Sequence, residues 1–381
     1  MINHGFGSWS ILVIFWINDS IIIKMVKKQP SLFGIRYYNR DFLQKKSWGK
    51  NCFNSSFPTA LCCYLHEINL ENIYIKVNSN LEIEHTTIAT EDVFGINPQS
   101  DLAFYAFESQ FTPYQQYLIG TLPRVDLVTQ TNGLCLRAME IKLTALPDNT
   151  TCELPENQYG CEIVVRPDTI VYLACSIASN LRQQGTNMAE LLQLTFPQDL
   201  DWTEPLSVIP YVSTMIEAID NLMSHIVSVQ KPFLMQPIWK TQGKSPQLST
   251  NCLDVFIWSD ISFSRLFINL AKQEIENFGQ IIKISRYTRT VIWLFKMLSD
   301  FGDRGLFDHV SIIDSCSYNT KNDKAFAVNG KITHEYMNSE SWRQPRIPKQ
   351  EIKNIILGDG QNLLSPERRF DAIIYNSPDL F

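Results

Sequence analysis

Apolar and polar positions along the chain change period several times, and each period implies a different element. Between 211 and 231, Val212, Met215, Ile216, Ile219, Leu222, Met223, Ile226 and Val227 recur at helical spacing, which predicts a helix with one apolar stripe. His225 flanks that stripe and reads as a surface histidine rather than a ligand. Residues 70–84 alternate as β-structure does (NIYIKV, then LEIE), with Asn78-Ser79-Asn80 as the turn. Residues 60–68 suit a strand or a short helix, and 101–111 read as a short helix with Asp101, Phe104, Tyr105 and Glu108 on one face. Leu127, Val128 and the run 134–146 are strand-like, and the Asn132-Gly133 step between them signals a hairpin. CEIVVRP predicts a further strand, followed by a helix with Asp168 as its N-cap. Strand-like pieces return at 233–239 and 253–258. Helices are expected at 262–278 and 286–301, the second stopped by Gly302, with a closing strand at 371–375.

The first 24 residues stand apart. Residues 11–17 (ILVIFWI) are apolar, but the run is too short and too interrupted by Asn18-Asp19-Ser20 to span a bilayer. A signal peptide would need a basic start and a small-residue cleavage site, and neither is present. Residues 1–24 therefore read as an over-long gene start, with loose packing expected at 11–17. The domain organisation that follows is a single domain over 25–381. Its core lies at about 95–260, and a helical and irregular part fills 261–381.

Composition narrows the class only a little. With 45% hydrophobic and 19% charged residues the chain is globular, and its net charge of −6 rules out a polybasic coat. A local basic cleft in an acidic shell would still gather phosphates. The nine cysteines form no CxxC pair, which excludes a clustered zinc site and fits reduced, buried cysteines in a cytoplasmic protein. There is no GxxxxGK[ST], GxGxxG, GxSxG or HExxH motif, so nucleotide, dehydrogenase, hydrolase and zinc-protease classes lose support.

What remains is Asp126 followed by Glu140-Ile141-Lys142. An acidic residue two before a lysine is a weak signal, since chance alone supplies about two such matches in this composition. The second match, Glu351-Ile352-Lys353, follows a proline-containing polar stretch and reads as a solvated charge pair. Glu140 and Lys142 instead sit on a long strand, where residues two apart share a face. Asp126 joins that face if the hairpin loop is the three-residue Thr131-Asn132-Gly133, which pairs Gln130 with Leu134. A two-residue Asn-Gly turn would put Asp126 and Glu140 on opposite faces. Two carboxylates and an ammonium at one point suit a hard cation such as magnesium and an activated water. A salt-bridged hairpin face is the alternative. Asp101 or Glu108 could supply a third acid, and Arg166, Lys45, Lys46 and Lys50 are candidate phosphate contacts.

PRVD at 123–126 with EIK at 140–142 looks like the split signature of the PD-(D/E)XK nuclease superfamily. More specifically, LPRVDLVT, MEIKLTALPDNTTCEL, YGCEIVVRPDTIVYLACSIASNL and SWGKNCFNSSFPTALCCYLH resemble the HindVP-type restriction endonucleases. The resemblance runs from about Ser31 and is densest over 98–182. It implies a mixed central β-sheet flanked by helices, with additional C-terminal helices. It implies metal-binding acids at Asp126 and Glu140, a catalytic lysine at Lys142, and Mg2+ as cofactor. The implied substrate is double-stranded DNA at the palindrome GRCGYC, cut to leave 5′-phosphates. A palindrome implies a homodimer, and a restriction system implies a cognate DNA methyltransferase. The alternatives from the residues are another nuclease of the same superfamily, acting in repair or recombination, and a DNA-binding protein without catalysis.

Overall fold

A computed structural model of the chain describes residues 11–17, 20–26, 59, 62–77, 83–142, 162–185, 187–192, 200–226, 233–235, 239–242, 245–248, 255–259, 268, 271–272, 284–318 and 325–329. Two antiparallel pairs come first: β1 (Ile11–Ile17) with β2 (Ser20–Val26), and β3 (Asn72–Val77) with β4 (Ile83–Ile88). The second pair is the one its alternation predicted. Between the pairs, residues 62–67 are helical, which settles the choice left open for 60–68.

Then follow α1 (Thr90–Phe94), β5 (Ala103–Ser109), β6 (Val125–Thr131), β7 (Leu134–Lys142), β8 (Glu162–Val165) and α2 (Pro167–Gln183). Short helices α3 (Met188–Leu191) and α4 (Pro205–Val208) lead to α5 (Val212–Ser224). Strands β9 (Phe233–Met235), β10 (Trp239–Gln242), β11 (Ser245–Leu248) and β12 (Val255–Ser259) precede α6 (Arg286–Arg304), α7 (His309–Ser315) and β13 (Phe326–Asn329).

The central sheet has five strands in the order β5-β6-β7-β12-β9. Every described pairing within it is antiparallel, where a mixed sheet was expected. Both faces are covered. Ala106, Val128 and Ala138 share one row of the register and belong to the core built by α2, α5 and α6. The opposite face carries Tyr105, Phe107, Leu127 and Met139. It meets α1, where the Phe94 ring lies edge-on to Tyr105 and the Thr129 hydroxyl donates to the Phe94 carbonyl.

Helix α2 is buried nearly all round, from Ile170 to Leu181, and α6 from Val291 to Leu298. Each large apolar side chain buried there contributes about 1.5–3 kcal/mol. The stripe predicted for α5 is buried at Val212, Met215, Ile216, Ile219, Leu222 and Met223, and exposed His225 caps the helix C-terminus as a surface residue. Helix α6 runs past Gly302 and ends at Gly305, which supplies the left-handed φ of 73° that an L side chain rarely adopts.

Residues 101–111 are not helical. Ala103–Ser109 is a strand, with Ala103, Tyr105 and Phe107 buried at a period of two. The burial of residues 11–17, Lys45, Lys46, Lys50, the strand expected at 371–375 and most of 262–278 lie outside the described residues.

Candidate active site

Asp126 and Glu140 are brought together by a turn and a defect in the ladder. Thr131 pairs with Leu134, so the hairpin turn is the two-residue Asn132-Gly133. Both turn residues have positive φ, 48° and 78°, as a twisted two-residue hairpin requires. This corrects the three-residue loop expected from sequence, and alone it would put the two acids on opposite faces. One step further the register shifts: Gln130 faces Cys135 but Thr129 faces Arg137, which leaves Leu136 as an extra residue. Such a bulge restores the parity that the turn removed. Val128 then meets Ala138 and Leu127 meets Met139, so Asp126 falls directly opposite Glu140. The Ile141 N–H donates to Asp126 Oδ2 at 2.7 Å, which fixes that carboxylate against the neighbouring strand.

Deleting Leu136 removes the bulge but keeps Thr129 against Arg137 and Asp126 against Glu140. The deletion variant is therefore expected to stay folded and to keep its activity on DNA. A folded variant without activity would mean that the bulge does more than set parity.

The helix side of the sheet supplies the next layer. Arg166 is the N-cap of α2, Pro167 its first residue and Asp168 its second, so Asp168 is not the cap that the sequence suggested. Proline is preorganised for the first helical position, which moves the start back by two residues. Thr169 donates its hydroxyl to Glu140 Oε1 at 3.3 Å. The Tyr172 hydroxyl accepts from the Phe111 N–H and donates to the Pro123 carbonyl, tying α2 to the segment that enters β6. Arg166, the N-cap, is exposed.

The carboxyl of Asp168 is held above the ordinary aspartate range, first by partial removal from water and then by the negative charge of Glu140. His309 and Arg166 oppose the shift. A carboxyl with a raised folded-state value binds its proton more tightly folded than unfolded, so its ionisation destabilises the fold as pH rises through that window. Asp168→Asn is accordingly expected to raise the melting temperature at neutral pH. The gain should vanish below the ordinary aspartate value, where both forms are neutral. A melting series over pH checks this, and a gain independent of pH would contradict it.

Of the two candidates for a third acid, Glu108 is the one whose strand position faces Asp126. It lies between the pairs Phe107–Leu127 and Ser109–Val125, and so occupies the register position opposite Asp126. Its φ of 47° is unusual for a non-glycine residue in a strand. Asp101 lies beyond the other end of β5, where Ala103 pairs with Thr131. Lys142 is the last residue of β7, two positions past Glu140 and paired in register with Phe256.

Sequence reasoning assigned no function to Asp168 or to His309. His309 opens α7 behind the N-cap Asp308, which accepts from the Ser311 N–H. Burial holds the imidazole below its usual range, against the pull of Asp308 and Asp168. Among the described residues no group of three or more His, Cys, Asp or Glu side chains is gathered to hold a metal ion. The acids that the hairpin brings face to face are Asp126 and Glu140. No described helix is long and apolar enough to cross a membrane.

The family model for the HindVP restriction endonuclease matches residues 48–381. A probable type II restriction enzyme HindVP from Haemophilus influenzae is 47% identical over 353 residues, covering 93% of this chain and 95% of that protein. The type II restriction enzyme HgiDI from Herpetosiphon aurantiacus is 44% identical over 355 residues, covering 93% of this chain and 97% of that protein. No solved structure matches the chain.

Proposed function

The chain belongs to the HindVP restriction endonuclease family, and from that premise we propose a site-specific, magnesium-dependent cleavage of both strands of duplex DNA at GRCGYC. The observation that carries the chemical part is the placement of Asp126 opposite Glu140, with Lys142 two residues beyond on the same strand. The relatives over nearly the whole chain are type II restriction enzymes by name, which supports the substrate.

Two carboxylates facing each other across a strand pair form the hard-oxygen donor set that suits magnesium. Asp126 and Glu140 would hold the cation. When bound, it supplies a positive centre that polarises the phosphate and eases ionisation of water. The rest falls to the protein. The Ile141 N–H and the Thr169 hydroxyl orient the two carboxylates, so little reorganisation is left for the moment of reaction. Lys142 orients the attacking water and offsets negative charge on phosphorus. Water oxygen bonds to phosphorus, the bond from phosphorus to O3′ breaks, and the phosphate stays on the 5′ end. Arg166 contacts a backbone phosphate beside the scissile bond.

A palindromic site is read by a two-fold homodimer that presents one such centre to each strand. At the R and Y positions both purines offer N7 in the major groove, so one donor accepts either. A DNA methyltransferase of matching specificity is the functional partner that protects the host's own sites. Digestion of unmethylated DNA followed by sequencing of fragment ends tests the proposal. Ends at GRCGYC that carry 5′-phosphate are expected, and ends at another sequence, or 3′-phosphates, would overturn it.

A further inference from the structure

Between β5 and β6 the chain leaves the central sheet at Gln110 and returns at Arg124, passing through a short 3₁₀ segment at Thr112–Tyr117. One side chain of α2 holds both ends of this excursion. The Tyr172 hydroxyl accepts from the Phe111 N–H at 3.0 Å and donates to the Pro123 carbonyl at 2.9 Å. Tyr172 is 3% exposed, and its ring centroid lies 5.8 Å from that of Tyr114. A phenylalanine would fill the same space, so packing alone does not call for the hydroxyl. Its two partners flank the register row that Glu108, Asp126 and Glu140 share. Phe111 comes three residues after Glu108, and Pro123 three before Asp126. One turn earlier on the same face of α2, Thr169 donates to Glu140 Oε1 at 3.3 Å. A single helix thus holds Glu140 directly, and Asp126 through the strand that carries it.

We propose that Tyr172 is a positioning residue for the cleavage site, its hydroxyl fixing the entry of β6 so that Asp126 stands at the distance from Glu140 that one cation needs. This rests on the nuclease function proposed above. Asp126 has its own tie to β7, since the Ile141 N–H donates to its Oδ2. That bond sets the direction of the carboxylate, while the place of Asp126 along the sheet follows from where β6 enters. The side chains of Gln110 and Gln115 also hold the entering segment, at Leu122, but both belong to the excursion itself. Tyr172 ties the segment to the helix that carries Thr169, and a rigid element holds a site more precisely than a loop does. The hydroxyl acts through the backbone, so its loss displaces a ligand rather than removing one. Displacements of this kind cost about 10- to 100-fold in rate.

The full chain is compared with Tyr172→Phe and with Ile216→Val, a core substitution on α5 that should also lower the melting temperature. Well below both melting temperatures, Tyr172→Phe is expected to lower kcat for DNA cleavage by about 10- to 100-fold with KM little changed. Ile216→Val should cut at the wild-type rate. In the metal-free chain, the amide proton of Ile141, 2.7 Å by its nitrogen from Asp126 Oδ2, should move upfield on Tyr172→Phe and stay in place on Ile216→Val. A wild-type kcat in Tyr172→Phe, equal losses in the two variants, or an unmoved Ile141 resonance would overturn the proposal. A Tyr172→Phe chain that does not fold would assign the hydroxyl to the fold and overturn it too. If the wild-type chain leaves DNA intact, the nuclease reading itself has failed, and the Ile141 resonance then decides the positioning separately.

Discussion

Replacing Lys142 by alanine is expected to lower kcat for DNA cleavage by about 10²- to 10⁴-fold, with the melting temperature and DNA affinity nearly unchanged. Lys142 ends β7 two positions beyond Glu140, and in the proposed mechanism its ammonium acts at the scissile phosphate. Its charge matters most when negative charge builds on phosphorus, which is why the loss should fall on kcat and not on KM. Arginine is not expected to rescue it. A guanidinium keeps its proton at any working pH and is a wide, planar group where lysine presents a compact ammonium. A Lys142→Ala chain that cuts at the wild-type rate would remove the lysine from the mechanism.

The second large effect is expected from Asp126→Asn. The substitution keeps the shape of the side chain and an oxygen for the Ile141 N–H, now 2.7 Å from Asp126 Oδ2, so the hairpin should remain intact. It removes one of the two negative charges that would hold the cation. The electrostatic stabilisation at stake is several kcal/mol, or about 10²- to 10³-fold in rate. Part of the loss should be recovered by raising magnesium, because affinity for the cation falls along with the rate. Melting that is unchanged, cleavage that is lost and partial recovery at high magnesium together assign Asp126 to the metal. Loss of the fold would assign it to the hairpin instead.

How much of this was legible beforehand depended on whether local pattern or long-range pairing decided the matter. The α5 stripe and the β3–β4 alternation are local, and both formed where their periods put them. Asp126, Glu140 and Lys142 could be picked out because a strand's two-residue period and an Asn-Gly turn are written in neighbouring residues. The route to their shared face could not. A bulge at Leu136 has no signature in a run such as LCLRAMEIK, and it is chosen by how the two strands pair. The segment around Tyr105 misled because Phe104 and Glu108 also fit helical spacing, while the buried partners that make it a strand, Leu127 and Val128, lie twenty residues away. Asp168 looked like a cap because aspartate favours that position, yet Pro167 claimed the first turn.

The most direct test of the central claim is a digest of unmethylated plasmid DNA by the full chain, once with magnesium and once with a chelator. Discrete fragments in magnesium, and intact plasmid in chelator, are the predicted result. Equal cutting in both would contradict a cation held by Asp126 and Glu140. Intact plasmid in both, from a chain that melts as a folded protein, would contradict cleavage itself.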